Sequence, residues 1–121
     1  MTKPDDMPNW VWEFDATYDV PDAITQMEGI EDHSWHNDTS PSFGLYDDRG
    51  TFLRLWVEHP DPYRREFGPD QPRFGVFLHD DDDGGAVGET WQGEDLHEAI
   101  RAFMVMLPEY HAMARAKRGA A

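Results

Sequence analysis

The chain has 121 residues, of which 39% are hydrophobic and 13% aromatic, and its net charge at pH 7 is −15. This length predicts one domain over residues 1–121, with fraying expected at 1–8 and 119–121. The aromatic content predicts a folded core, because disordered chains contain few aromatic residues. Since the sequence has no cysteine, disulfides, thiolate metal sites and cysteine nucleophiles are excluded.

The acidity is distributed unevenly along the chain. Residues 1–48 contain twelve acidic residues and one Lys, whereas residues 49–79 contain four acidic residues and five Arg. A polyanionic partner is disfavoured, so we expect no direct binding to nucleic acid and no membrane association, and a basic protein is the favoured partner. The alternative is that the charge only keeps the protein soluble. The N-terminus has no apolar run of the kind found in signal peptides, which predicts a cytoplasmic location.

The N-terminal third shows a period of two followed by turn residues. Apolar and acidic residues alternate from Trp10 to Val20, which predicts a long strand with one solvated acidic face. Pro21 to Gly29 predicts a short helix, and we expect a short strand around His33–His36.

Two hairpins are predicted in the middle of the chain. The first runs from Ser42 to His59 around a turn ending at Gly50, and its second arm has bulky residues on both faces, which is typical of a central strand. The second pairs residues 74–78 with 86–91 across an Asp-rich turn at 80–85. Between the hairpins, the proline-rich residues 60–72 predict a loop, and we expect Tyr63 and Phe67 to pin it down.

The C-terminal region carries the clearest helix pattern. Leu96, Ile100, Phe103 and Leu107 form one apolar stripe, and Pro108 either kinks this helix or starts another. The element order predicts an α+β fold: an antiparallel sheet of about five strands, made of two hairpins plus the long N-terminal strand, with the C-terminal helix packed on one face. Aromatic residues remain for the other face, where the 60–72 loop, a second copy of the chain or a partner would cover them: Phe52, Trp56, Phe77 and Trp91.

Rows of acidic residues motivate the leading functional hypothesis. On a strand, Glu13, Asp15 and Asp19 would lie on one face, with neighbours two residues apart separated by about 6–7 Å, which resembles the spacing of phosphates. We therefore expect a small acidic binding protein, such as an inhibitor, an immunity-type protein or a nucleic-acid mimic, that acts on a basic partner. The expected contact residues are five acids and two aromatic anchors: Glu13, Asp15, Asp19, Glu31, Asp32, Trp35 and Trp56.

The alternative is a metal-binding or anion-binding domain, or a small enzyme. Weak candidate metal ligands are His33, His36, Asp38 and His59, and the plainer interpretation is that these are solvated loop residues. Arg64 and Arg65 are candidate anion ligands, unless they neutralise the protein's own acids. No catalytic motif or phosphate loop is found, so we predict no catalytic residue and no cofactor, and we favour a non-enzymatic protein while leaving catalysis open. A third alternative is a homo-oligomer joined through the aromatic sheet face.

Overall fold

The computed structural model describes residues 2–80 and 85–119, with the backbone alone for residues 85–89. Five strands form one antiparallel sheet in chain order, and a long C-terminal helix packs on it, which confirms the predicted α+β fold. No helix among the described residues is long and apolar enough to cross a membrane. The strands are β1 (Glu31–Asp32), β2 (Ser42–Tyr46), β3 (Thr51–Val57), β4 (Phe74–Asp80) and β5 (Gly85–Gly93). The α-helices are α1 (Asn9–Glu13), α2 (Asp22–Thr25) and α3 (Leu96–Gly119), and short 3-10 helices span Ala16–Tyr18 and Pro62–Arg64.

The predicted first hairpin is confirmed and its turn follows from side-chain chemistry. The Asp47 carboxylate accepts a hydrogen bond from the backbone N–H of Arg49 at 2.9 Å. Gly50 has a φ of 99°, which a glycine adopts without strain, and its N–H donates to the Asp47 carbonyl at 2.8 Å. The strands of the second hairpin are also confirmed, and residues 81–84 of its predicted turn at 80–85 lie outside the described residues.

Alternation along β3 separates the two faces of the sheet. Leu53, Leu55 and Val57 are fully buried beneath α3, whereas Phe52 and Trp56 point to the opposite face and are half-buried. Strand β3 therefore lies in the middle of the sheet, as its bulky residues on both faces predict.

Helix α3 is continuous, and its buried face is slightly offset from the apolar stripe that the sequence predicts. It remains one helix through Pro108, so a second helix starting there is ruled out. Pro108 has no N–H to donate to the Met104 carbonyl, and Met104 is 53% exposed, so the break in the hydrogen-bond pattern lies on the outer side of the helix. Phe103 is buried as expected, and the other residues of the predicted stripe are only half-buried. The buried residues of the helix are Ala99, Phe103, Met106, Tyr110 and Ala114.

The prediction of a long N-terminal strand over Trp10–Val20 is wrong. Two short helical segments occupy this stretch, and carboxylate side chains satisfy part of its backbone in place of a neighbouring strand. The Asp15 carboxylate accepts from the Thr17 N–H at 2.8 Å, and the Asp32 carboxylate accepts from the Trp10 N–H at 2.9 Å. Val20, at the end of this stretch, is buried in the core together with Phe43 and Leu55.

Two further predictions concern this N-terminal region. The short helix expected after Pro21 is confirmed as α2, with Pro21 as the residue that precedes its first turn. The short strand expected at His33–His36 is displaced, because the residues that pair with β2 are Glu31 and Asp32. Strand β1 thus forms the sheet edge beside β2.

Candidate binding site

The loop of residues 60–72 is held by a buried arginine. The Arg65 side chain is 2% exposed, and its guanidinium donates to the carbonyl oxygens of His59 at 2.7 Å, Gln71 at 2.7 Å and Pro60 at 3.4 Å. It also binds the Glu94 carboxylate through two parallel hydrogen bonds, at 2.9 and 3.1 Å. The rigid donor array of one guanidinium therefore fixes both ends of the loop to the end of β5.

The aromatic residues of the same loop are exposed. Tyr63 is 84% exposed and Phe67 is 71% exposed, so the prediction that they pin the loop down is wrong. Asp61 shapes the loop locally, because its carboxylate accepts from the Tyr63 N–H at 3.0 Å at the start of a 3-10 turn. Polar contacts hold this segment, which leaves its aromatic rings on the surface.

A hydroxyl-centred cluster joins this loop to the N-terminal segment. The Thr17 hydroxyl contacts the His59 Nε2 at 3.0 Å and the Arg64 guanidinium at 3.1 Å, and it donates to the Asp15 carboxylate. That hydrogen bond from Thr17 is the main reason that the pKa of Asp15 lies below its ordinary value, and the Arg64 guanidinium adds to the effect from 3.7 Å. Of the two candidate anion-binding arginines, Arg65 is thus buried in internal contacts and Arg64 pairs with the protein's own acid.

The His59 ring cannot activate the Thr17 hydroxyl as a general base. The Asp61 N–H donates to the His59 Nδ1 at 3.0 Å, so Nδ1 is unprotonated and the neutral ring carries its proton on Nε2. Burial, followed by the Arg64 charge, lowers the pKa of His59, which favours this neutral form. The Nε2–H therefore donates to Thr17, which is the arrangement of a structural cluster and not of a catalytic pair.

A second set of surface contacts lies between Glu13 and Trp35. The His36 Nδ1 lies 2.9 Å from the Glu13 carboxylate, and the Trp35 ring, which is 49% exposed, lies 5.9 Å from the His36 ring. Glu13 is two residues from Asp15, which pairs with Arg64. We name these two sets of exposed or half-exposed residues, together with the exposed aromatic residues of the 60–72 loop, the loop edge; it comprises Glu13, Asp15, Trp35, His36, Tyr63, Arg64 and Phe67.

The other predicted acidic contacts do not join this surface as a row. The Asp32 carboxylate is occupied internally by the backbone N–H groups of Trp10 and Ser34, each at 2.9 Å. Asp19 ends the 3-10 helix in a left-handed conformation with a φ of 48°, so it does not continue a strand. Glu31 lies in β1, where it pairs with Gly44. Because the N-terminal strand does not exist, the predicted phosphate-like spacing of Glu13, Asp15 and Asp19 does not form.

The candidate metal ligands are dispersed. The His33 ring packs against Phe52 with centroids 4.9 Å apart, His36 contacts Glu13, and His59 contacts Thr17. Asp38 lies in a turn, where its N–H donates to the Trp35 carbonyl at 2.9 Å. Within residues 2–80 and 85–119, no three His, Asp or Glu residues are grouped so that they could hold a metal ion.

The aromatic sheet face is partly covered by an arginine. The Arg54 guanidinium lies 4.4 Å from the ring centre of Phe52 and 4.5 Å from that of Trp56. Phe77 lies opposite Arg54 on the neighbouring strand and belongs to this face, as predicted. The prediction for Trp91 is wrong, because Trp91 lies opposite Val76 and packs against the core beneath α3.

Comparison of the chain with models of protein families, with curated proteins and with solved structures found no match. The functional proposal therefore depends on the geometry of the loop edge and on the charge of the chain.

Proposed function

We propose that this is a small acidic protein without catalytic activity that binds a basic protein through the loop edge. One observation carries the proposal: the two most exposed large hydrophobic side chains among the described residues, Tyr63 and Phe67, lie on a loop that the buried Arg65 holds in place. Exposed apolar side chains on a well-anchored loop are typical of binding surfaces.

Anchoring of the loop favours tight binding for an entropic reason. Association costs about 0.5–1.5 kcal/mol for each flexible side chain that becomes ordered, and ordering a mobile loop adds to this cost. Arg65 already joins the loop carbonyls of Pro60 and Gln71, so the backbone around Tyr63 is ordered before a partner arrives. Tyr and Arg are also frequent among the residues that dominate interface energies, and Arg64 is next to Tyr63.

The charge of the chain favours a basic partner. The net charge of −15 would accelerate association with a cationic surface. Within the loop edge Glu13 contacts His36 and Asp15 pairs with Arg64, so this attraction comes from the charge of the whole chain. Inhibition of a basic enzyme, as an immunity-type protein would do it, remains the favoured version. The nucleic-acid-mimic version has less support, because the regular acidic row on which it was based does not form. A cytoplasmic location is part of this proposal.

The test uses capture by the immobilised protein from a lysate of its native host. The Tyr63→Ser/Phe67→Ser double variant removes the two aromatic side chains, and Val105→Ser is the matched control because Val105 is 66% exposed on α3. We expect a basic protein to be retained by the wild type and by the control, and to be lost from the double variant. Its purified form should bind at least tenfold more weakly to the double variant, with an affinity that falls as salt increases.

Two results would count against the proposal. One is that no basic protein distinguishes the wild type from the double variant. The other is that the retained protein binds equally well in high salt, since a contact that depends on opposite charges weakens when salt screens them. Self-association through the aromatic sheet face is a separate outcome, which sedimentation of the wild type at micromolar concentration would reveal.

A further inference from the structure

A groove runs along the flank of α3 that faces β2. Helix α3 packs mainly against β3, β4 and β5. A helix is about 10 Å wide and strands lie about 4.8 Å apart, so one helix covers only two or three strands of a five-stranded sheet. Leu45 of β2 pairs with the buried Leu53 and faces the same side of the sheet, but it is only half-buried. The side of β2 that faces the helix layer is therefore incompletely covered.

The first part of this groove is an apolar cavity of about 450 Å³. Its apolar lining comes from α3, from β2 and from the segment after α2: Met27, Leu45, Ile100, Phe103, Met104 and Leu107. Met104 is 53% exposed, and Ile100 and Leu107, which the helix pattern predicts to be buried, are half-buried. Part of the apolar stripe of α3 thus borders the groove and not the core, and contiguous uncovered apolar surface is typical of binding sites.

A second cavity of about 360 Å³ continues the groove toward the end of α3. It shares Leu45 with the first cavity, and the helix residues that line it follow Leu107 by one to three turns: Tyr110, His111, Ala114 and Arg118. Between Ile100 and Arg118 the axis of α3 rises by about 27 Å, which is the length of about five helical turns. The groove is therefore long and parallel to a helix, as a site for a second helix is.

Acidic side chains lie on the wall opposite α3. Glu28 borders the first cavity and Glu31 borders the second, and both are exposed. Neither carboxylate forms a salt bridge with another residue in the part of the chain that the structure describes. The third acid of this wall, Asp47, already pairs with Arg118 at 3.6 Å. Two unmatched carboxylates beside an apolar groove favour an occupant that is both apolar and positively charged.

The same charges disfavour a second copy of the chain as the occupant. A two-fold dimer places one surface patch against the identical patch of the other copy. Glu28 and Glu31 would then face the same carboxylates across the interface, and each copy would also carry a net charge of −15. Like charges brought together in an interface weaken it, so a basic partner is the better match.

We propose that this groove binds an amphipathic helix of a partner protein whose apolar stripe is flanked by Lys or Arg. Apolar side chains three and four residues apart would enter the groove beside Met104, while the basic side chains would pair with Glu28 and Glu31. A helix in this position lies about 8–10 Å from α3 and completes the helix layer over β2. None of the lining residues belongs to the loop edge, so this surface is additional to the proposed function and does not depend on it.

The test measures binding of a peptide of about 18 residues, made of Leu and Lys, by calorimetry. Leu occupies every third or fourth position and forms one stripe of the helix. One control peptide has the same composition in scrambled order, and the other has Glu in place of Lys. We expect a Kd in the micromolar range for the first peptide and binding about tenfold weaker or worse for each control. The methyl signals of Met27 and Met104 in NMR spectra should shift on binding, which locates the peptide in the groove.

Neighbouring residues of α3 provide a matched pair of variants for the apolar contact. Met104→Ser removes an exposed apolar side chain from the groove and should weaken binding by about tenfold. Val105→Ser makes a similar change at a residue that is 66% exposed on the flank of α3 toward β5, so the affinity should stay within about twofold.

A second pair of variants tests the charged contact. Glu28→Gln/Glu31→Gln should weaken binding of the Lys peptide by about fivefold and reduce its dependence on salt. Glu66→Gln/Glu109→Gln removes the same total charge from exposed acids outside the groove and should leave the affinity within about twofold. All of these side chains are exposed, and thermal unfolding followed by circular dichroism checks that the variants remain folded.

Three results would overturn the proposal. The first is that the scrambled or the acidic peptide binds as tightly as the amphipathic basic one. The second is that neither Met104→Ser nor Glu28→Gln/Glu31→Gln weakens binding. The third is self-association of the wild type in sedimentation that Met104→Ser abolishes, which would assign the groove to a second copy. These measurements use no host protein and change no residue of the loop edge, so their failure would leave the capture experiment unaffected.

Discussion

Arg65 and Glu94 are joined by two parallel hydrogen bonds across 29 residues of sequence, with NH1 at 2.9 Å from Oε2 and NH2 at 3.1 Å from Oε1. The two partners differ sharply in environment, since the arginine side chain is 2% exposed and the glutamate side chain is 62% exposed. Glu94 also accepts from the Arg73 N–H at 2.7 Å. The pair therefore fastens the loop that carries Tyr63 to the end of β5 and to the start of β4.

The unequal burial of this pair predicts an unequal response to mutation. Arg65→Ala should lower the free energy of unfolding by about 2–4 kcal/mol, because it leaves the carbonyls of His59 and Gln71 without their donor in a buried site. Glu94→Ala should cost only about 1 kcal/mol, because water can replace an exposed carboxylate. Urea denaturation of both variants measures the difference, and equal losses would show that the pair, and not the loop carbonyls, is what matters.

Two glutamates are predicted to affect stability in opposite directions with pH. The hydrogen bond from Arg65 lowers the pKa of Glu94 below 4.5, so the unfolded state binds more protons and the stabilisation is lost as pH falls below 4.5. Burial raises the pKa of Glu58 above 4.5, so the folded state binds more protons and stability decreases as pH rises through that region.

Glutamine variants isolate these two contributions. Glu94→Gln should destabilise the protein more at pH 7 than at pH 3.5. The opposite is expected for Glu58→Gln: its free energy of unfolding, relative to that of the wild type, should be higher at pH 7 than at pH 3.5. Denaturant titrations at both pH values measure the change. A difference that is independent of pH for either variant would mean that the carboxylate has the same pKa in the folded and unfolded states.

The tautomer of His59 is predicted from its two hydrogen bonds. We expect a neutral ring with the proton on Nε2 at pH 6.5, because Asp61 donates to Nδ1 and burial disfavours the charged ring. Long-range ¹H–¹⁵N correlation of the imidazole nitrogens observes this state directly. Protonation of Nδ1 at that pH would contradict the arrangement and would reopen the question of a basic nitrogen facing Thr17.

The lowered pKa of His59 also has a consequence for stability. The unfolded chain takes up a proton near pH 6.5 that the folded ring resists, so this residue makes stability fall as pH decreases through 6.5. His59→Gln should remove that part of the pH dependence. Denaturant titrations at pH 7.5 and 5.5 give the comparison, and an identical slope in wild type and variant would contradict it.

Close approach of strands predicts a strict requirement at Gly44. A Cβ atom there would lie 1.9 Å from the Leu53 carbonyl oxygen, which belongs to the backbone of the neighbouring strand and cannot rotate away. Gly44→Ala should therefore cost about 3 kcal/mol or more in unfolding free energy. Gly75→Ala is the control, because the atom in its way belongs to the Phe77 side chain, and it should cost about 1 kcal/mol. Similar losses in both variants would refute the distinction.

The hairpins and the C-terminal helix could be predicted because their periodicity reflects burial. Leu53, Leu55 and Val57 alternate in sequence and are buried together, and the turn before them depends on Asp47 and Gly50. The N-terminal strand failed under the same rule, since alternation from Trp10 to Val20 does not reveal that the carboxylates of Asp15 and the distant Asp32 accept hydrogen bonds from this backbone. A pattern of side chains cannot report hydrogen bonds between residues 22 apart.

The candidate site was harder to predict for a related reason. Nothing in the sequence distinguishes Arg64 from its neighbour Arg65, although one is exposed and the other is buried, because a loop has no periodicity to assign a face. Tyr63 and Phe67 are exposed, whereas the sequence predicts that they are buried, because aromatic residues in a loop usually anchor it to the core. Their positions depend on Glu94, which is distant in sequence and carries no signal of its own.

The two-residue length of β1 has a consequence for how the protein behaves at high concentration. An open sheet edge can recruit a strand from another chain, which is the first step of many aggregation processes. Here the edge beside β2 is closed by Glu31 and Asp32, a segment too short to template a long strand and charged at both positions. This edge is therefore a poor template for growth of the sheet, and the opposite edge is formed by the longer strand β5.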